Sequence, residues 1–145
     1  MYNYKLVIQY EGTRYDGWQR MGKDESINTI EYKIAEILRK MTGEEIQIFC
    51  GCRTEKGVHA RGQVINFKLD EQKKPYEVKN YLNRYLPRDI AVISAEVVPE
   101  RFHSQLNAKG KVYVYQLDTG DVADVFERRY RYNTFEKPDF KAMRK

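Results

Sequence analysis

Between Gly51 and Gly62 the sequence runs G-C-R-T-E-K-G-V-H-A-R-G, which sets Arg53, Glu55, Lys56, His59 and Arg61 within nine positions. A carboxylate flanked by cations stays ionised at neutral pH and can serve as a nucleophile or a base. Glycines let such a loop turn tightly and bring its backbone close to a ligand. On residue types alone the plainer alternative is stronger: a solvated, charged hairpin loop with an internal ion pair. Metal chemistry finds little support. Cys50 and Cys52 are the only cysteines, and His59 and His103 do not stand at finger spacing from them. Two free thiols filling small spaces are expected, with no metal.

The elements that would hold this loop can be read from periodicity. Residues 4–10 (Y-K-L-V-I-Q-Y) are β-branched and aromatic with partial alternation, a strand. A polar loop over residues 12–22 carries Arg14, Tyr15, Asp16, Trp18, Gln19 and Arg20. Ser26 is placed to cap a helix whose apolar stripe is Ile27, Ile30, Ile34, Ile37, Leu38 and Met41, ending at Thr42-Gly43. Strands are expected at 45–50 and 64–69, on either side of the charged loop. Pro75 opens a second helix with Val78, Tyr81, Leu82 and Tyr85 on its apolar face, closed by Leu86-Pro87. A fourth strand at 90–98 and a fifth at 111–117 follow. The order β-α-β-β-α-β plus one strand predicts an α+β, ferredoxin-like antiparallel sheet with both helices on one face. Its open face would be a common RNA platform. Residues 1–120 read as one domain and 121–145 as a C-terminal extension that begins a second half.

Composition narrows the partners. Of 145 residues, 41% are hydrophobic and 32% charged, a globular balance. No apolar run reaches the ~20 residues of a membrane span, and the N-terminus lacks signal-peptide character, so a cytoplasmic location is expected. The net charge of +5 and twelve tyrosines against six phenylalanines favour a polyanionic partner that offers surfaces for stacking. A merely basic, tyrosine-rich surface has similar weight.

The motifs sharpen this. Tyr10-Glu-Gly-Thr-Arg-Tyr-Asp-Gly-Trp-Gln resembles the Y-D-G-x-x-Y-x-G-W-Q element of the tRNA pseudouridine synthase A (TruA) family. Arg53-Thr-Glu-Lys-Gly-Val-His-Ala is similar to its R-T-D-A-G-V-H-A, and Gly62-Gln-Val with Phe67 to the strand that follows. Leu86-Pro-Arg-Asp-Ile, Phe102-His103 and Lys111-Val-Tyr-Val-Tyr115 fit later elements in the same order. The resemblance implies isomerisation of uridine to pseudouridine in the tRNA anticodon stem-loop, without cofactor, by a homodimer. The reaction cleaves the bond from ribose C1′ to uracil N1 and rejoins the base through C5. A carboxylate can offset positive charge developing at C1′. Glu55 stands at the position of the family's catalytic aspartate, Arg53 at that of its neighbouring arginine, and Tyr113 at that of the tyrosine contacting the base. Arg14, Gln19, Lys56, His59, Arg61, Gln63, His103 and Lys111 are then expected to contact RNA, with Arg20, Arg101 and Lys109 as further cations at the rim.

Four positions depart from the family pattern: Glu55 for aspartate, Lys56 for a small residue, Gln105 for arginine and Cys52 for glycine. The extra methylene of Glu55 shifts the carboxylate, and a misplacement of about 1 Å can cost on the order of 100-fold in rate. Family members also continue through a second half. Impaired catalysis by this chain alone is therefore expected. Two further readings stand beside it: an RNA-binding module without turnover, and an interaction domain that pairs with a full-length relative.

Overall fold

A computed structural model describes residues 1–19, 22 and 25–144. Arg20, one of the expected rim cations, lies outside the described residues. Met1–Gly110 form one compact unit and Lys111–Lys145 a second, a division earlier than the boundary near 120 read from the sequence.

In the first unit, alternation along β1 (Tyr2–Tyr10) buries Tyr4, Leu6, Ile8 and Tyr10 on one side. β3 (Ala60–Leu69) lies antiparallel beside it, with Tyr4 opposite Phe67 and Leu6 opposite Ile65. β4 (Ile90–Val98) pairs with the other edge of β1, also antiparallel, and β2 (Phe49–Cys50) pairs with β3. The sheet order β2-β3-β1-β4 is the one a split βαβ requires, each helix crossing over one strand. Helices α1 (Ile30–Thr42) and α2 (Pro75–Tyr85) supply Ile30, Ile34, Leu38, Val78 and Leu82 to the same apolar core. The ferredoxin-like expectation is met.

The start of α1 differs in detail from the sequence reading. Thr29, not Ser26, caps the helix, accepting from the Tyr32 amide at 3.3 Å. The Ser26 hydroxyl instead donates to the Asp16 carboxylate at 2.6 Å. Ile27 therefore falls outside the helix and is half exposed. Gly43, with φ of 77°, ends α1 in the left-handed conformation favoured by glycine. Pro75 starts α2 where the missing N–H costs nothing.

The face opposite the helices is not wholly open. Residues 99–107 cross it and bury Asn3, Asn66 and Ser104. The Asn3 amide donates to the carbonyls of Pro99 at 3.0 Å and Phe102 at 2.9 Å, while Asn66 donates to Asn3 and accepts from the Ser104 amide. A broad RNA platform on that face is accordingly reduced by its own polypeptide.

In the second unit, the strand expected over 111–117 shortens to β5 (Leu117–Asp118), which pairs in parallel with β6 (Tyr132–Asn133). The Val-Tyr repeat has high β propensity, but propensity becomes a strand only where a ladder partner is present. Helix α3 (Phe140–Met143) is a single turn capped by Asp139.

Thr29→Ala is expected to lower stability to urea by about 1 kcal/mol, the usual worth of a cap. Ser26→Ala should cost less than half as much, because it serves the loop and not the helix.

Candidate functional site: a clamped carboxylate loop

The loop joining β2 to β3 is set by a polar residue in a core position. Gln63 lies opposite Ile8 on the helix-facing side of β3, in line with Ile65, Phe67 and Leu69, and is only 7% exposed. Such a carboxamide is tolerable only when its hydrogen bonds are made. Its Oε1 accepts from the Cys52 amide at 3.2 Å, and its Nε2 donates to the Cys52 carbonyl and to the Tyr10 hydroxyl. Tyr10 in turn bonds the Thr54 hydroxyl at 2.6 Å. Because Gln63 donates to the phenol oxygen, the Tyr10 proton is free to go to Thr54. Burial raises the Tyr10 pKa, with the Thr54 and Gln63 bonds opposing it, so the phenol stays protonated.

The first loop grips the same segment from outside. Trp18, itself buried, donates its backbone N–H to the Thr54 carbonyl at 2.9 Å, and the Gly12 amide donates to His59 Nδ1 at 2.9 Å. A Cβ on Gly12 would lie 2.1 Å from the Val58 carbonyl oxygen, so only glycine lets the two backbones meet. The Tyr15 hydroxyl donates to Asp89 at 2.5 Å, and the Asp89 carbonyl accepts from the Glu11 amide, tying this loop to the turn before β4. Burial first, and then the Asp89 carboxylate, raise the Tyr15 pKa.

Between these holds, the turn itself reaches outward. Val58 donates to the Glu55 carbonyl at 3.1 Å and Gly57 takes φ of 80°. The Glu55 side chain is exposed, and among the described residues its carboxylate makes no ion pair or hydrogen bond. The internal ion pair considered for this loop does not form. Lys56 turns instead to Asp16 at 3.6 Å, an exposed pair. The hydrogen bond from Ser26, and then Lys56, hold the Asp16 carboxyl below its ordinary range. The result is a free carboxylate on a clamped base, in a loop that also carries the exposed side chains of Arg53, Lys56 and Arg61, while Arg14 is exposed on the first loop. Such a group can attack an electrophilic carbon or take a proton, and the cations can hold phosphates.

The remaining expected site residues divide. His59 is half buried and accepts from Gly12, so its role is partly to lock the two loops. Gln63, expected to touch RNA, is buried with its amide engaged inside the protein. Gln19 and His103, with Arg53, line a cleft of about 440 Å³ between α1 and the edge strand β2. Lys111 and Tyr113 belong to the second unit, where both are exposed. Tyr10, Thr54, Tyr15 and Asp89 escaped the sequence reading as site supports. Their only signal is that each lies within a motif already noted. Among the described residues no group of three or more His, Cys, Asp or Glu could hold a metal ion, and no helix is long and apolar enough to cross a membrane.

Comparison with known proteins adds to this geometry. The family described as tRNA pseudouridine synthase matches residues 6–107. A tRNA pseudouridine synthase A from Bacillus sp. (strain KSM-64) is 51% identical over 137 residues, covering 94% of this chain and 55% of the relative. A tRNA pseudouridine synthase A 2 from Bacillus cereus (strain ATCC 14579) is 44% identical over 144 residues, 99% of this chain and 58% of the relative. A tRNA pseudouridine synthase A 1 from Clostridium tetani is 42% identical over 145 residues. The chain thus spans little more than half the length of these relatives.

Gln63→Leu should lower stability by about 2–3 kcal/mol, because it strands the Cys52 backbone and the Tyr10 hydroxyl. Equilibrium urea unfolding measures this. Burial pushes the Cys50 thiol up to about 11, so its thiolate forms only as pH rises towards that value. At pH 8, alkylation followed by mass spectrometry should mark Cys52 alone in the native protein, and both thiols after denaturation.

Proposed function

Since this chain belongs to the tRNA pseudouridine synthase family, we propose that it converts uridine to pseudouridine in tRNA, with the Glu55 carboxylate at the reacting ribose. The observation carrying this is the exposed Glu55 carboxylate, without a partner among the described residues, on a turn clamped by Gln63, Tyr10, Trp18 and Gly12. An acid meant only to stabilise the loop would be paired with the lysine beside it, and that lysine pairs elsewhere.

In this reading the target nucleotide leaves its stack and presents the ribose to Glu55. The carboxylate attacks C1′ or takes the proton from C2′, and the C1′–N1 bond breaks. The uracil turns and C5 bonds to C1′ as the Glu55 carboxylate leaves that carbon, or as it returns the proton to C2′; the C5 hydrogen then leaves to solvent and N1 regains a proton. Arg14, Arg53, Lys56 and Arg61 neutralise phosphates on either side of the target. Roles for Tyr113 at the base and Lys111 at a phosphate follow from the resemblance alone. Following the resemblance, the RNA element is the anticodon stem-loop, the working form a homodimer, and the compartment the cytoplasm.

A second reading, an RNA-binding module without turnover, draws on the same residue. Glutamate at this position carries its carboxylate one methylene further than aspartate would, and attack on a single carbon tolerates little displacement.

Tritium release from tRNA labelled at uridine C5 decides between them, since substrate and product have equal mass. The chain should release tritium slowly, Glu55→Ala should release none, and Glu55→Asp should be faster by up to about 100-fold. No release by either the chain or Glu55→Asp, with tRNA still bound, would overturn the enzymatic reading in favour of the binding module.

A further inference from the structure

The cleft beside the carboxylate loop has a chemistry of its own. One wall is β2, an edge strand that among the described residues pairs with β3 alone, leaving the outer side of its backbone without a neighbouring strand there. Phe49 and His103 meet within it, ring centroids 4.6 Å apart and tilted by 49°. His103 Nδ1 accepts from the amides of Gln105 at 3.1 Å and Leu106 at 3.2 Å. The ring proton of the neutral imidazole therefore sits on Nε2, as a donor. Gln47 and Gln105, both exposed, add two carboxamides, each offering a donor and an acceptor.

Aromatic rings for stacking beside mixed donor and acceptor amides suit a planar heterocycle better than an aliphatic or peptide ligand. At two residues, β2 is too short to hold an added peptide strand by main-chain bonds. The volume, about 440 Å³, falls in the range of small-molecule sites. Arg53 lines the cleft while remaining exposed, in place to meet a phosphate. Cys50 also lines it, but its thiol stays protonated at neutral pH. The cleft is equipped to bind and not to react.

Glu55 does not line this cleft, yet Arg53 stands only two residues before it, at most ~7 Å along the backbone. We propose that the cleft binds one unstacked nucleotide of the RNA strand, adjacent to the nucleotide presented to Glu55, with its base against Phe49 and His103 and its phosphate at Arg53. The adjacency rests on the enzymatic reading above, while nucleotide binding by the cleft does not.

Trp18 is the only tryptophan and lines the cleft, so its fluorescence reports occupancy. Titration with cytidine, uridine and adenosine 5′-monophosphates should give a saturable change, and ribose 5-phosphate should bind about tenfold more weakly, lacking the stacked base. Phe49→Ala should weaken nucleotide binding by about tenfold. Gln105→Leu, an exposed substitution that leaves the core intact, should weaken it by about fivefold. Glu55→Ala should leave the titration unchanged. No saturable change with any nucleotide, an equal response to ribose 5-phosphate, or indifference to Gln105→Leu would each overturn the proposal. Nucleotide binding in a chain that never releases tritium would remove only the adjacency to a reacting ribose. Tritium release without nucleotide binding at Trp18 would sink the cleft and leave the enzymatic reading standing.

Discussion

Gln63 sits where a strand of this pattern would carry a valine or an isoleucine. Its register partner is Ile8, and the next three residues facing the helices from β3 are Ile65, Phe67 and Leu69. A buried carboxamide left unmatched would cost on the order of 1–3 kcal/mol, so folding favours the arrangement with the segment at Cys52 drawn against it. Both the donor and the acceptor of the Cys52 backbone are taken up by this one side chain. The position of the turn that carries Glu55 is thus a consequence of polar satisfaction in the core. The turn inherits the rigidity of the sheet while its tip stays in solvent.

The clamp is shared among distant parts of the chain. Tyr10 closes β1 and bonds Thr54, Trp18 and Gly12 of the first loop hold Thr54 and His59, and Asp89 holds Tyr15 from the turn before β4. Close backbone contact at Gly12 and the left-handed turn at Gly57 explain why glycine occurs at those positions. These contacts are short and at least partly buried, whereas Arg14, Arg53, Lys56 and Arg61 are exposed. Precision is built into the base of the loop, and electrostatic attraction for a polyanion is left at its rim.

That division suits work on a nucleic acid. Phosphate contacts depend on the sum of many solvated charges, so Arg14, Arg53, Lys56 and Arg61 need not be locked. A carboxylate acting on one ribose carbon does need a fixed support. Glu55 receives that support only up to its Cα. Its longer side chain retains more rotamers than an aspartate would, and this is the physical content of the expected loss in rate.

Much of this was legible in the sequence. The order of elements follows from period-two and period-3.6 patterns, whose origin is local geometry, and the family from motifs in which residue type and spacing are both constrained. The charged loop, its glycines and Glu55 were visible in the same way. What remained hidden depended on partners far apart along the chain. Ser26 and Thr29 are equally good caps by type, and the competing claim of Asp16 on Ser26 decided between them. The Val-Tyr repeat near 113 has strand propensity, yet only Leu117–Asp118 found a ladder. Gln63 looked like a surface contact until its register placed it in the core, and the internal ion pair considered for the charged loop gave way to a pair between Lys56 and Asp16 of the first loop. The sequence by itself determined which chemical groups the protein carries and the local structure around each. Tertiary structure alone decided which of them are spent on one another and which remain free, because hydrogen bonds and ion pairs go to whatever partner the folded chain brings within reach.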